Sequence, residues 1–351
     1  MKNVLRDARE NKGIKTRELS KMVKVDQALI SKFESGTRRP TKDQLLKLAS
    51  TLDIELTPLL ISWLKEKILH EISNEEFALE ALKEAQKELT IKLAKESKPI
   101  NDLFEKDLQL IEELKIVAHQ LGVANNVKLQ DNFIITYVFE SNSLDGNSLS
   151  KIETELILNE GQSIAGKSMH EHLAVINHQE ALRYIHKIAQ SKELLTVAII
   201  IEIHQLLFRG INPKEAGTFR TTAISIKDDL FSPSKPENIE TDLESLLLWL
   251  NENKNDLHPV ILAAAFKIKF VSLQSFKQGT AKIARLLTNL ILLQNDLTPI
   301  IYKSDSDSKK TYLSALMASI QDQNNSSFTT FLLQQEKESL EFNISFMKKV
   351  D

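Results

Sequence analysis

Between Phe270 and Leu287 the chain reads FVSLQSFKQGTAKIARLL, laid out like a catalytic loop but without catalytic groups. Phe276 is followed by Gly279, Lys282 and Arg285 just ahead of an apolar helical run. That is the layout of a loop cradling phosphate at a helix N-terminus. Proton transfer needs a titratable side chain within reach, yet no His, Asp or Glu occurs between Phe266 and Leu293. The amides of Gln274 and Gln278 do not titrate near neutral pH, and each offers a hard dication only a neutral carbonyl oxygen. Histidines elsewhere promise little. His170 and His172 stand two apart and do not share a helix face. His178, His186 and His204 fall in helical patterns as packed or capping residues, and His258-Pro259 reads as a helix start. No metal site is expected, and the absence of cysteine excludes disulfides and thiolate ligation.

The elements that must position this loop are helical. A chain of 351 residues predicts two or three domains, and only nine Gly and eight Pro favour long helices over a turn-rich β fold. The N-terminus lacks a secretory core, and the most apolar run, Leu194–Phe208, is interrupted by Glu202, His204 and Gln205 and is too short to span a bilayer. No membrane association and a cytoplasmic location are therefore expected. Residues 1–50 carry 13 Lys and Arg against 6 Asp and Glu, a net of +7, whereas the whole chain is −3, leaving −10 for residues 51–351. A basic head on an acidic body points to a polyanion partner for the head alone.

Caps divide the head into short helices. Gly13 ends the first, Thr16 suits the N-cap of RELSKMV, Asp26 caps QALISKFES, and Gly36 stops it. Thr41 and Gln44 form a capping box ahead of Leu45, Leu46 and Leu48. In QALISKFES, Ile30 and Phe33 point inward, leaving Gln27, Ala28, Ser31 and Lys32 outward. RELSKMVKVDQALISKFESGTRRPTKDQLLKLASTLDIE resembles the Cro/repressor-type (XRE) helix-turn-helix family over residues 3–57. The resemblance implies that Gln27, Ala28, Ser31 and Lys32 approach base edges of duplex DNA, with Arg17, Arg38, Arg39 and Lys42 on phosphates. Beyond the head, Leu59, Leu60, Trp63, Leu64, Ile68 and Leu69 form an apolar stripe in a helical connector, and Pro99 marks the expected boundary.

Four separated pieces of the remaining chain, around residues 140–154, 158–185, 201–226 and 258–293, resemble in order and spacing the Fic (Fido) family. The family fold is a helical bundle with one small β-hairpin flap, and its usual activity transfers AMP from ATP to a protein hydroxyl. Its core motif is His-Pro-Phe-x-Asp/Glu-Gly-Asn-Gly-Arg-x-x-Arg. Here the base position holds Gln274, the proline position Ser275 and the acidic, metal-holding position Gln278. Thr280, Ala281 and Lys282 replace the asparagine, second glycine and first arginine, while Phe276, Gly279 and Arg285 are kept. Lys282 keeps the charge but not the bidentate fork of arginine. Gly279, Lys282 and Arg285 with Phe276 remain as an expected anion or nucleotide site. AGTFRTTAISI resembles the flap, with Gly217, Phe219, Arg220 and Thr221, and the alternation from Thr222 to Ile226 suits a strand. SNSLDGN resembles the family's inhibitory motif, with Asp145 at the glutamate position between Ser141 and Gly146, facing Lys282 or Arg285.

The expectation is a mostly α protein. A helix-turn-helix DNA-binding domain would span residues 1–60, a helical connector residues 61–130, and a degenerate Fic domain with C-terminal helices residues 131–351. It would be a DNA-binding transcriptional regulator whose Fic domain has no catalytic residue and serves dimerisation, ligand sensing or partner binding. Duplex DNA, a second copy and a protein at the flap are the expected partners. ATP or another nucleotide is the one candidate ligand, without Mg²⁺. The alternatives are an active transferase of AMP or phosphate with altered chemistry, and an antitoxin-like interaction protein.

Overall fold

Caps set most helix starts in the computed structural model, which describes residues 2–85, 100–226, 231–322 and 324–350. Two compact units divide it, Met1–Glu96 and Ser97–Asp351. The expected boundary at Pro99 lies outside the described residues.

The first unit opens with helices α1 (Lys2–Asn11), α2 (Thr16–Val23), α3 (Gln27–Ser35), α4 (Lys42–Leu52) and α5 (Leu56–Ile72). Leu5, Leu19, Val23, Ile30, Phe33, Leu45, Leu48, Leu52 and Leu59 form its core. Asp26 caps α3 by accepting from Ala28 N–H at 2.8 Å, and Gly36, at φ +79°, ends it. Thr41 and Gln44 close the capping box of α4. Thr16, expected as an N-cap, is instead the first helical residue of α2. The cap falls on Lys15, whose N–H donates to Glu18 at 3.0 Å, so the carboxylate in the first turn does the capping. Trp63 pins α5 to the head, its indole N–H donating to Pro40 O at 2.9 Å.

The second unit contains α6 (Glu105–Gln120), α7 (Val127–Leu144), α8 (Lys151–Glu160), α9 (Met169–Ser191), α10 (Val197–Phe208), α11 (Ile239–Asn253), α12 (Pro259–Leu273), α13 (Thr280–Gln294), α14 (Ser306–Gln321) and α15 (Ser326–Val350). At its centre α12 packs on α13, with α9, α11 and α15 around them. Nearly all of α12 and α13 is buried, which explains their continuous rather than striped apolar sequence. His258 caps α12, its Nδ1 accepting from Val260 N–H, and Pro259 stands at the first helical position. No described helix is long and apolar enough to cross a membrane.

One local expectation differs. Among the described residues there is no strand, and the segment from Thr222 to Ile226 runs as irregular backbone. Its alternation fits a pleat, but no neighbouring strand in the described residues completes a ladder, and an isolated hairpin is marginal.

Candidate functional site

In the head, Gln27, Ala28, Ser31 and Lys32 lie exposed along one face of α3, as do Arg17, Arg38 and Lys42 beside it, with Arg39 half-buried. Thr37 Oγ1–H and Arg38 N–H both donate to Lys32 O, fixing the turn that carries Arg38 and Arg39. Arg6 and Arg9 pair with Glu10, Arg9 also with Glu34 at 2.7 Å, and Lys12 with Asp53. Arg17, Lys32, Arg38, Arg39 and Lys42 enter no ion pair among the described residues.

In the second unit the loop joins the ends of α12 and α13. Gln274 terminates α12 in the left-handed region at φ +48°, and its side-chain amide donates to Val271 O at 2.8 Å. The Gln274 side chain is thus tied to its own helix end. Phe276, 1% exposed, stacks on His204 with ring centroids 4.0 Å apart and meets Phe219 at 5.3 Å. Gly279, at φ +85°, precedes α13, and a Cβ there would lie 2.4 Å from Phe208 Cε2. Ala281 and Gln278 are exposed. Thr280 is buried with its hydroxyl unpartnered, as is Ser275.

His204 joins loop and flap. Its Nδ1 accepts from Gly217 N–H at 2.9 Å and its Nε2 faces Gln278 O at 3.2 Å, which assigns the neutral Nε2–H tautomer. Burial pushes its pKa down to about 4. Arg220, 4% exposed, is spent on backbone carbonyls: Nε donates to Gln274 O at 2.6 Å, and the other nitrogens to Thr222 O and Ser234 O. Its own N–H donates to Ser275 O at 3.1 Å. Arg220 therefore staples the flap to the loop, while Thr221 next to it is exposed. His204, Phe208, Phe219, Thr221, Lys277 and Gln278 line a shallow cleft between flap and loop.

Both cations expected to face an anion are occupied. Arg285, 2% exposed, donates from Nε to Ser141 Oγ at 2.8 Å and from its terminal nitrogen to Asp145 Oδ2 at 2.7 Å and Ser141 O at 3.0 Å. Lys282 donates to Asn142 Oδ1 at 2.7 Å and lies 3.4 Å from Asp145 Oδ2. Burial pulls the Lys282 pKa down, opposed by the Asp145 charge. The end of α7 is held from elsewhere too. Lys309 donates to Leu144 O, and Glu140 accepts from Ser304 N–H and Oγ–H. Gly146 follows at φ +93°, beyond the helix end. The structure thus brings Ser141, Asp145, Lys282 and Arg285 together, and Gly217, Phe219 and Arg220 against Phe276, Gln274 and Gln278. Asn142 and the bridging role of His204 were missed in the sequence. A buried amide beside a motif-like acid is a weak signal, and the His204 pattern is that of a packed residue.

A helix-turn-helix family model matches residues 5–59, and a Fic/DOC family model matches residues 194–292. Over 169 residues the chain is 32% identical to the protein adenylyltransferase Fic of Nematostella vectensis, covering 48% of this chain and 39% of that protein. Over 168 residues it is 35% identical to the protein adenylyltransferase fic-1 of Caenorhabditis elegans, covering 47% of this chain and 33% of that one. The chain thus spans well under half the length of these relatives. Among solved structures, Fic-1 from C. elegans superposes with a TM-score of 0.63 at 21% identity, covering 96% of this chain and 98% of the other. A Fic domain containing signaling protein from Bacteroides thetaiotaomicron gives 0.61 at 24% identity, covering 68% and 98%. At these identities the superpositions speak to fold alone. The chain carries a helix-turn-helix domain at residues 5–59 and a Fic/DOC domain at residues 194–292.

Proposed function

We propose that the protein is a cytoplasmic DNA-binding transcriptional regulator whose Fic domain is a pseudoenzyme retained as scaffold. One contrast carries this reading. The head leaves Arg17, Lys32, Arg38, Arg39 and Lys42 without ion pairs, whereas the Fic loop's Lys282 and Arg285 are both bonded to α7. Free cations around an exposed helix suit phosphate contact, and neutralised ones do not. In the loop, an amide replaces the base, and its nitrogen is engaged on Val271 O. The residues do not fit a metal-bound nucleotide. Gln278, where the resemblance puts the metal-holding acid, is a neutral amide and a poor ligand for a hard dication. The flap cleft remains as a surface for a protein partner.

In this reading Gln27, exposed at the start of α3, pairs with adenine, and Lys32 donates to guanine or phosphate. The test is a mobility-shift series with genomic fragments at rising salt. Affinity should fall steeply with salt, Gln27→Ala should relax sequence preference, and Arg39→Ala should weaken all sequences alike. Salt-independent binding, or none, would refute the DNA-binding reading.

A further inference from the structure

Arg38 and Arg39 sit in the turn from Gly36 to Thr41 that joins α3 to α4, and Lys42 is the first residue of α4. Cationic side chains meet phosphates in register only where the backbone beneath them is fixed. The front of the turn is fixed by α3, whose Lys32 O accepts from Thr37 Oγ1–H at 3.3 Å and from Arg38 N–H at 3.2 Å. Its rear runs through Pro40, which is buried and has no N–H to offer. There the peptide linking Pro40 to Thr41 is held on both edges. Thr41 N–H donates to Gln44 Oε1 at 2.9 Å, and Pro40 O accepts from the indole N–H of Trp63 at 2.9 Å.

Trp63 stands on α5, beyond the residues 5–59 that the helix-turn-helix model matches. Its ring packs half-buried against the core of the head beside Leu60, and Lys67 Nζ lies 5.8 Å from the ring centre. Packing alone does not call for an indole, because a phenyl ring would cover much the same apolar surface. What the indole adds is one donor, and it is spent on a peptide lying between Arg39 and Lys42. We infer that Trp63 is a positioning residue for DNA contact, its N–H holding the turn in the conformation that sets Arg39 on a phosphate. The inference rests on the DNA-binding reading and gives Trp63 itself no contact with DNA.

The test is a double-mutant cycle on the full chain, read by mobility shift. Two duplexes are used, one selected from random sequence by the wild-type chain and one unrelated. Trp63→Phe keeps an aromatic ring in place and removes the donor, so helical circular dichroism should be unchanged. Affinity for both duplexes should fall about fivefold, the effect of one lost hydrogen bond. Sequence preference should stay as it was, because a phosphate contact and not a base contact is disturbed. In an Arg39→Ala background the same substitution should cost almost nothing, and in a Gln27→Ala background its full amount. Leu60→Ala loosens the packing of α5 without touching Pro40 O. It should lower thermal stability at least as far as Trp63→Phe and leave affinity unchanged. Wild-type affinity in Trp63→Phe would overturn the inference. An equal loss in Leu60→Ala would overturn it too, because Trp63 would then matter only to the packing of α5. So would a loss that adds fully to that of Arg39→Ala, because the indole would not be acting through the turn. A wild-type chain that binds neither duplex would instead refute the DNA-binding reading, and the inference with it.

Discussion

At Gly279 the backbone turns with φ +85°, and the ring of Phe208 occupies the place where a side chain would start. Gly279→Ala therefore meets two penalties, a left-handed backbone and an overpacked contact, together costing about 1–3 kcal/mol. Thermal unfolding of the variant should show a Tm several degrees lower, and an unchanged Tm would mean that Phe208 moves aside freely. Single residues also mark the limit of sequence reading. That Gln274 and Gln278 carry amides, which cannot act as base or acid near neutral pH, is visible in the sequence because it depends on residue type alone. Where the cations go is not, because their partners are distant in the chain. Asn142 and Ser141 reach Lys282 and Arg285 only after α7 and α13 have packed. Lys267 is a further case. Its amine is fully buried with no hydrogen-bond partner, 3.6 Å from the ring centre of Tyr302, and burial drives its pKa well down. Nothing in AAAFKIKF sets it apart from an ordinary solvated lysine.

Helices of the second unit are tied by a few buried polar contacts, and Glu336 on α15 is one whose strength depends on pH. Its Oε1 accepts from Thr298 N–H and Oγ–H, both at 2.9 Å, and burial raises its pKa to about 8 from the ordinary 4.5. A carboxyl raised in the folded state favours folding while it is protonated. Its penalty grows as pH climbs from about 4.5, where the unfolded group ionises, and levels off above about 8, where the folded group does too. Glu336→Gln keeps the acceptor oxygen and cannot ionise. Its Tm relative to wild type should be near zero at pH 5 and rise to several degrees by pH 8. A difference that does not change with pH would show that Glu336 ionises in place without cost, with Lys115 supplying the countercharge. At this scale most helices were legible from caps and periodicity, as at Asp26, Thr41 and His258. The flap strand was not, because alternation reports a favourable face and says nothing about whether a partner strand exists.

Across the whole molecule a basic head of +7 is followed in sequence by an acidic remainder of −10, and Lys282 and Arg285 are already paired within that remainder. Arg285 is buried in the bundle and Lys282 half-buried, and both are bonded to α7, where they hold the helix leading to Asp145 against the helix following the loop. The central claim is that this bundle no longer transfers a nucleotide. Losing a general base alone costs about 10²–10⁴ in rate, and a neutral amide at the metal position removes charge stabilisation of the phosphates as well. The most direct measurement is incubation of the purified full chain with labelled ATP and Mg²⁺, with and without cell lysate, followed by counting label on protein. The positive control is the chain with Gln274→His, Gln278→Asp, Thr280→Asn, Ala281→Gly and Lys282→Arg, together with Asp145→Gly. The wild-type chain should label neither itself nor any lysate protein above background, while the restored chain transfers measurably. Label transferred by the wild-type chain, and still transferred after Gln274→Ala, would contradict the account and place the base elsewhere.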